Sequence, residues 1–359
     1  MRVTLTNPYC WPYVRGGSES TMHGLCSWLR AQGHDASILA GGPKNAAYEI
    51  DGLPYRTVKA RDLSRVHREL VPPVTMIPAM RRRIKSIKPD VVHAFSYHDA
   101  FAAKRAELPY VLTIGGIIAP RWRDQHQFKL FKNACTHAEV ILCASQAPVD
   151  ALKADYGFDA EIVPYGLDVA SFAPDEERVP GRILCVATAN DNRRRPDFLV
   201  TAFGKAAVKN PDAHLVFCGA ADDDVQQRVR SLLPARHRDK LTFLGDLGPE
   251  ELRKEYARAS LTALTSLNEA FGIAPIESLA SGTPVVGTRS GALAEIITND
   301  VGALSEPEDV NECARQIQFL LDESGPALSA RCIERAQLYD WDAIGPKNVA
   351  IYERATTRW

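Results

Sequence analysis

Several kinds of pattern are missing from this chain of 359 residues. Its eight cysteines are scattered, with no CxxC pair and no Cys/His cluster at metal-ligand spacing, so we expect reduced cysteines that act as small apolar side chains. No apolar run approaches the length of a membrane span, and the N-terminal stretch MRVTLTNPYCWP lacks the apolar region of a secretion signal. We therefore expect a cytoplasmic protein.

A strong charge of one sign is also missing, because the net charge is −1, which argues against a general nucleic-acid binder. The two halves differ, however: residues 1–170 hold 21 Lys+Arg against 16 Asp+Glu, and residues 171–359 hold 22 against 28. The stretch RRRIKSIK at 81–88 interleaves Ile84 and Ile87 with basic residues. It predicts either weak peripheral contact with an anionic membrane or a solvated basic helix face.

The chain does contain a regular alternation of strand-like and helix-like segments. Strand-like RVTLT, ASILA, DVVHAF, YVLTI and EVILCAS alternate with amphipathic stretches, and a second series begins at Arg182 with RILCVA, HLVFCG, LTFLG, LTALTS and PVVGT. Such alternation predicts an α/β fold with two Rossmann-like, doubly wound parallel sheets. A stretch rich in Pro, Gly and charge at 162–182 places the boundary near residue 175, giving domains 1–175 and 176–340.

Two glycines follow the first strand, in the segment VRGGSES at 14–20. Gly16 and Gly17 can leave backbone N–H groups free to face an anion at a helix N-terminus. A structural turn capped by Ser18 or Ser20 explains the same residues. The chain has no GxGxxG followed by an acid about 20 residues on, which argues against a dinucleotide-binding module.

Three arginines follow the first strand of the second half, in ATANDNRRRPDF at 187–198. Ligands of open α/β sheets bind outside the carboxyl ends of the strands, where guanidinium groups suit phosphate oxygens. We therefore expect a phosphate-binding role, with Arg194 ahead of Arg193 and Arg195. The alternative is a solvated loop.

Two acids flank a helix start in SLNEAFGIAPIESLASG at 266–282. Pro275 suits the first turn of this helix, but the preceding Phe271, Gly272 and Ile273 offer no side-chain oxygen as a cap. A donor diphosphate or a sugar hydroxyl would satisfy those N–H groups. Alternatively, Glu277 only complements the helix dipole and Glu269 is an exposed loop acid.

Other candidates have weaker patterns. His93, at the end of a predicted strand, predicts either a group that binds sugar hydroxyls or moves a proton, or a histidine satisfied within the core. The run Asp222, Asp223 and Asp224 resembles a metal-binding DxD element, but it precedes a helix that such acids cap, so we predict no metal site. Trp11, Tyr13 and Trp122 lie in loops that could stack on an acceptor ring or fill a wall.

With these residues in view, the chain resembles the family 4 retaining glycosyltransferases of GT-B fold over nearly its full length. NEAFGIAPIESLASGTPVVGTRSGALAEII at 268–297 is similar to the family's E-G-F-G-x-x-x-x-E, A-x-G-x-P-V-V and G-G-x-x-E-I-I signature. VPYGLDVASFAP resembles its I-P-N-G-V-D segment. The resemblance implies two domains that face a cleft, the first binding the acceptor and the second the donor, with a last helix (341–359) that crosses back to the N-terminal domain.

The resemblance also implies roles for individual residues. Glu269 would contact donor-sugar hydroxyls, Glu277 the ribose, and Arg194 the phosphate. Gly16 and Gly17 would approach the phosphate from the other domain. The backbone N–H groups that would meet the sugar and diphosphate belong to Phe271, Gly272 and Ile273.

Three departures from the family pattern stand beside this match. The family's Arg and Lys pair after the first strand of the second half is replaced by ATANDNRRR, so phosphate binding must be rearranged, for example through Arg193. A frequent histidine of the family is Gly115 here. Ala270 replaces the usual glycine, which preserves the turn only if its φ is negative.

The sequence thus predicts a metal-independent, cofactor-free retaining glycosyltransferase, with a nucleoside diphosphate sugar as donor and a hydroxyl group of a small molecule, glycan or lipid-linked compound as acceptor. His93, Glu269 and Arg194 are the candidate catalytic residues. A nucleotide-sugar epimerase of the same fold and a non-catalytic nucleotide-binding protein are the alternatives.

Overall fold

The computed structural model describes residues 1–14, 16–59, 73–116, 128–173, 176–323 and 325–357. Residue 175, where the sequence places the domain boundary, and Trp122, a predicted stacking residue, lie outside these residues. The chain divides into two compact units. The first comprises Met1–Gly166 with Trp341–Trp359, and the second comprises Leu167–Asp340.

The described residues form strands and helices in strict chain order. The strands are β1 (Arg2–Asn7), β2 (Asp35–Gly42), β3 (Ala46–Ile50), β4 (Leu53–Lys59), β5 (Val91–Ala94), β6 (Tyr110–Ile114), β7 (Val140–Cys143), β8 (Glu161–Ile162), β9 (Arg182–Val186), β10 (His214–Cys218), β11 (Leu241–Phe243), β12 (Leu261–Leu264), β13 (Val285–Thr288) and β14 (Gly302–Ser305). The helices are α1 (Gly17–Ala31), α2 (Ile77–Ile87), α3 (Tyr97–Ala106), α4 (Phe128–Thr136), α5 (Gln146–Tyr156), α6 (Pro196–Ala206), α7 (Asp223–Ser231), α8 (Pro249–Arg258), α9 (Ile273–Ala280), α10 (Leu293–Ile296), α11 (Val310–Glu323), α12 (Pro326–Gln337) and α13 (Trp341–Thr357).

Unit 1 is built on an eight-stranded sheet of order β3-β4-β2-β1-β5-β6-β7-β8. All its strand pairs are parallel except β3 with β4, because only those two strands are joined by a short hairpin turn. The strands read as near-continuous apolar runs because helices cover both faces. One face packs on α1 and α13, and the other on α2, α3 and α4.

Helix α13 is part of unit 1 because its apolar side completes the core beside α1. The ring of Trp341 occupies the space beside Gly24 and Gly166, where any Cβ atom would collide with it. Trp28 Nε1 donates a hydrogen bond of 2.8 Å to Asp342. The last helix and the first helix therefore share one face of the same sheet.

Helix α2 carries the basic stretch at 81–88, and its apolar side chains face the core of unit 1. Met80 and Ile84 are buried, and Ile87 packs against the same cluster. The membrane interpretation requires exposed apolar residues on this helix, so the structure favours the solvated basic face instead. Within the described part of the chain, no helix combines the length and the apolar character that a membrane crossing requires.

Unit 2 is built on a fully parallel six-stranded sheet of order β11-β10-β9-β12-β13-β14. The chain starts at β9, builds outward to β11, then returns to place β12 on the other side of β9. The strand order therefore reverses between β9 and β12, and the loops that leave their carboxyl ends diverge. The predicted α/β class with two doubly wound parallel sheets is confirmed.

Candidate active site

The predicted arginines and acids of unit 2 meet at the point where its strand order reverses. The loop 187–195 leaves the carboxyl end of β9, and the loop 265–272 leaves the carboxyl end of β12, its neighbour in the sheet. A crevice at such a switch point is where open α/β sheets bind ligands. The two segments that the sequence singled out separately thus belong to one site.

The arginine loop is fastened to the end of β12 by main-chain groups. Asn192–Arg194 form one turn of 3-10 helix, started by Asp191, whose carboxylate accepts from the Arg193 N–H. Thr265 Oγ1 donates to the carbonyl of Arg194 at 3.1 Å, and the N–H of Leu267 donates to the carbonyl of Arg193 at 2.8 Å. These bonds fix where the arginine side chains start.

Arg194 and Glu269 form an ion pair across the two loops. Arg194 Nη1 donates to Glu269 Oε2 and, at 3.1 Å, to Ser266 Oγ. The Glu269 side chain is 16% exposed and that of Arg194 is 32% exposed. A half-buried pair of this kind holds both groups in position while leaving the guanidinium within reach of a ligand at the sheet edge.

The other two arginines point elsewhere. The Arg193 side chain is 73% exposed and pairs with Asp191 at 2.7 Å. Burial raises the pKa of Asp191, but the hydrogen bonds and charge of Arg193 outweigh it, and the pKa lies below its ordinary value. Arg195 lies over the ring of Phe198, 4.4 Å from its centroid, and donates to the carbonyl of Pro307. Arg194 is therefore the arginine of the three that reaches the second loop.

Helix α9 begins without a side-chain cap. Its N-cap residue is Gly272, whose φ of 87° lies in the left-handed region that favours glycine. Phe271 is 4% exposed, with its ring 6.0 Å from that of Tyr339, so its side chain anchors the turn and only its backbone remains for a ligand. The first N–H groups of a helix lack acceptors within it, so this helix start suits an anion.

Two further features of this turn bear on the sequence predictions. The non-glycine residue with positive φ is Asn268, at 53°, and Ala270 is not among such residues, so the condition for tolerating Ala270 is met. Ser290 and Gly291, from the loop after β13, support the turn: Ser290 Oγ accepts from the N–H of Asn268 at 2.8 Å, and Gly291 lies against the backbone of Glu269 where a Cβ would collide. Sequence reasoning assigned these two residues no role, although the segment SGALAEII contains them.

Glu277 lies in α9, and its partner is Tyr256 of α8. The Tyr256 hydroxyl donates to Glu277 Oε2 at 2.8 Å. Burial raises the pKa of Glu277, and the bond from Tyr256 and the charge of Arg253 oppose this rise in part. No sequence signal pointed to Tyr256, since it lies on a separate helix. The acid is thus oriented by a buried hydroxyl rather than serving only as a charge at a helix start.

Gly16 and Gly17 begin helix α1 in unit 1, after the carboxyl end of β1. Gly16 is the N-cap, with φ −136°, ψ 180° and no side-chain cap, so neither Ser18 nor Ser20 caps the helix. Neither glycine has positive φ, so the expectation that they adopt angles closed to other residues is wrong. Asn7 donates to Glu19, a buried acid in the first turn, at 3.3 Å. The uncapped start of a 15-residue helix remains suited to an anion.

His93 lies in β5, enclosed by the core of unit 1. It is 2% exposed, and its ring nitrogens lie 2.6 Å from the Tyr352 hydroxyl and 2.7 Å from Thr113 Oγ1. Burial lowers its pKa to about 3. With both nitrogens engaged by the protein, the position favours the alternative of a satisfied core histidine over a proton-moving group.

Stability is therefore expected to depend on pH through His93. Its folded pKa lies below the unfolded value near 6.5, so its contribution is complete above pH 6.5 and falls as the pH drops towards 3. Between pH 6.5 and 5, His93→Gln should lose about 2 kcal/mol less unfolding free energy than the wild type. Urea unfolding of both proteins at these two pH values measures the difference. An identical loss in both would mean that the His93 ring takes up protons in the folded state.

Two remaining sequence predictions concern Gly115 and the three aspartates. At Gly115, where the family frequently has histidine, a Cβ would lie 3.2 Å from the Tyr165 hydroxyl, so a tyrosine hydroxyl stands beside this position. Asp222 is the N-cap of α7, and Asp223 and Asp224 lie in its first turn, as expected of helix-capping acids. Among the described residues, no group of three or more His, Cys, Asp and Glu side chains is placed to hold a metal.

Comparison with known families and structures agrees with this arrangement. The family model "Glycosyltransferase Family 4" matches residues 15–171, and "Glycosyl transferases group 1" matches residues 172–339. The phosphatidyl-myo-inositol mannosyltransferase of Mycolicibacterium smegmatis is 26% identical over 98% of this chain and 94% of its own. The MMP alpha-(1->4)-mannosyltransferase of Mycolicibacterium hassiacum is 29% identical over 61% of this chain and 54% of its own.

Solved structures share the fold at lower identity. Sucrose-phosphate synthase from Thermosynechococcus elongatus superposes with a TM-score of 0.83 at 19% identity, covering 99% of each chain. HepE from Anabaena, in complex with UDP-glucose, superposes with a TM-score of 0.75 at 16% identity, also covering 99% of each chain. Both halves are matched by glycosyltransferase models and the whole chain by glycosyltransferase structures. The chain therefore belongs to glycosyltransferase family 4 and has the GT-B fold.

Proposed function

We propose that this glycosyltransferase transfers a sugar from a nucleoside diphosphate sugar to a hydroxyl acceptor, with retention at the anomeric carbon and without a metal ion. The observation that carries the proposal is the Arg194–Glu269 pair at the switch point of unit 2, beside the uncapped start of α9. A cation, a hydrogen-bonding acid and a helix N-terminus at one sheet edge match the three parts of such a donor: diphosphate, sugar and ribose.

Each part of the donor has a proposed partner. The diphosphate binds Arg194 and the N–H groups at the start of α9, with Arg193 able to swing to its outer side. Glu269 accepts from sugar hydroxyls, since its carboxylate has a second oxygen beyond the one that Arg194 engages. Glu277 holds the ribose through the oxygen that Tyr256 does not occupy. Gly16 and Gly17 contribute N–H groups to the phosphate from unit 1.

Catalysis in this proposal is chiefly charge stabilisation. The bond between the anomeric carbon and the diphosphate oxygen breaks, and the negative charge that develops on that oxygen faces Arg194 and the helix start. The acceptor oxygen forms the new bond on the same face of the sugar, and its proton passes to the departing phosphate oxygen. Glu269 is a sugar ligand in this step and not a nucleophile, because its carboxylate is already held by Arg194.

The first test is a binding and transfer panel on the wild type. Melting temperature is measured with UDP, GDP and ADP, and release of the nucleoside diphosphate from the corresponding glucose and mannose donors is then followed with and without EDTA. UDP-glucose is included because a structural neighbour was solved with it. We expect one diphosphate to raise the melting temperature, and sugar transfer that EDTA does not reduce.

Three outcomes would contradict parts of this proposal. No shift with any nucleoside diphosphate overturns the donor class. Binding without release or transfer to any sugar, lipid or small-molecule hydroxyl supports a non-catalytic nucleotide-binding protein, whereas interconversion of the donor sugar without transfer supports an epimerase. Inversion of the anomeric configuration in the product, read by NMR, overturns retention.

A further inference from the structure

We infer that unit 1 carries a second anion site, at the amino edge of its sheet, which binds a small phosphate-bearing compound. A groove of about 500 Å³ opens there between the start of the sheet and the end of α2. Its polar lining, called the arginine groove below, comprises Arg2, Arg30, Asp35, Ser37, Arg56 and Arg83. The volume is in the range of sites that hold small ligands.

The strand register explains why polar residues gather here. Arg2 pairs with Asp35 at the starts of β1 and β2, and Arg56 of β4 pairs with Leu39 of β2. Because side chains alternate along a strand, Asp35 lies on the same face as Leu39, which belongs to the core under α2. At the amino edge this core gives way to charge, and Arg83 closes the groove from the last turns of α2.

The charges of the groove are not balanced by the protein. Asp35 is engaged by Arg2 at 2.9 Å, and Arg30 donates to the carbonyl of Ala36 at 3.1 Å. Arg56 and Arg83 have no hydrogen-bond or ion-pair partner among the residues that the structure describes.

Arg56 is half-buried, unlike an ordinary solvated surface arginine. An unpaired guanidinium in a concave site favours an anion, and its flat fork of donors suits phosphate oxygens.

The arginine groove is distinct from the predicted donor-binding residues of unit 1. Gly16 and Gly17 follow the carboxyl end of β1, whereas Arg2 begins the same strand. A strand of this length spans about 20 Å. A ligand in the groove therefore does not occupy the place of the donor phosphate, and the inference is independent of the proposed transfer reaction.

The test is a calorimetric titration of the protein with sodium tripolyphosphate at low ionic strength. We expect binding by the wild type, weakened at least tenfold in Arg56→Gln and in Arg83→Gln. Arg82→Gln is the matched control, because it removes the same charge from the adjacent, exposed residue of α2, which does not line the groove. Arg194→Gln, altered in unit 2, controls for phosphate bound there and is expected to keep this affinity.

A second arm identifies the source of the phosphate. Sedimentation with phosphatidylglycerol vesicles is compared for the wild type, Arg83→Gln and Arg82→Gln. Tripolyphosphate binding that depends on Arg83 assigns the groove to a soluble compound, and vesicle binding that depends on Arg83 but not on Arg82 assigns it to a lipid headgroup. Absence of both kinds of binding, or equal effects of Arg82→Gln and Arg83→Gln, overturns the inference, since a diffuse basic surface then accounts for the result.

Discussion

Arg194→Gln is expected to lower turnover by about 100- to 1000-fold, the cost of removing one preorganised group that stabilises developing charge. The substitution removes the cation that faces the departing diphosphate. It also leaves Glu269, whose side chain is 16% exposed, without its ion-pair partner. Single-turnover rates of sugar transfer, with donor at saturating concentration, measure the loss in the chemical step apart from weaker donor binding.

Arg195→Gln is the matched control for this substitution. It removes the same charge from the next residue, whose guanidinium packs over Phe198 and donates to Pro307 instead of facing the site. We expect turnover within about threefold of the wild type, with any cost confined to the melting temperature. Equal losses of turnover in the two variants would mean that the loop needs positive charge in general, and that Arg194 has no particular place in the transition state.

The contrast between the three arginines also shows where sequence reasoning ends. Three identical neighbours carry no information on direction, and their directions follow from the backbone: Arg195 has φ 52°, in the left-handed region, which turns the chain before α6 begins. Arg193 is drawn to Asp191, and Arg194 is left facing β12. The site's position at the carboxyl edge was predictable from strand patterns, because parallel strands bring their ends together regardless of sequence distance.

The acids followed the same division between local and distant information. The uncapped start of α9 was predictable because Phe271, Gly272 and Ile273 are contiguous and offer no capping oxygen. The hydroxyl partner of Glu277 was not predictable, because Tyr256 comes from another helix and meets α9 only once the sheet has formed. His93 shows the opposite error: its place at a strand end suggested an open site, whereas Tyr352, from the far end of the chain, encloses it.

The second large expected effect concerns Glu277 and the ribose. If this carboxylate accepts hydrogen bonds from the ribose hydroxyls, the wild type should bind the preferred nucleoside diphosphate about 10- to 100-fold more tightly than its 2′,3′-dideoxy analogue, as befits bonds to a charged acceptor. Glu277→Gln keeps the shape and leaves an oxygen for the Tyr256 hydroxyl, while removing the charge. It should weaken the ribonucleotide by a similar factor and leave the dideoxy analogue nearly unchanged.

Four dissociation constants, for two proteins and two ligands, isolate this contact as a coupling energy. Calorimetry supplies them directly, and the comparison is internal, because a general loosening of α9 would weaken both ligands alike. A coupling energy near zero, with both ligands weakened equally in Glu277→Gln, would contradict the ribose role and leave Glu277 as a structural acid held by Tyr256. A large coupling energy ties the raised pKa of this carboxyl to function, because the burial that raises its pKa also excludes the water that would compete with the ribose hydroxyls.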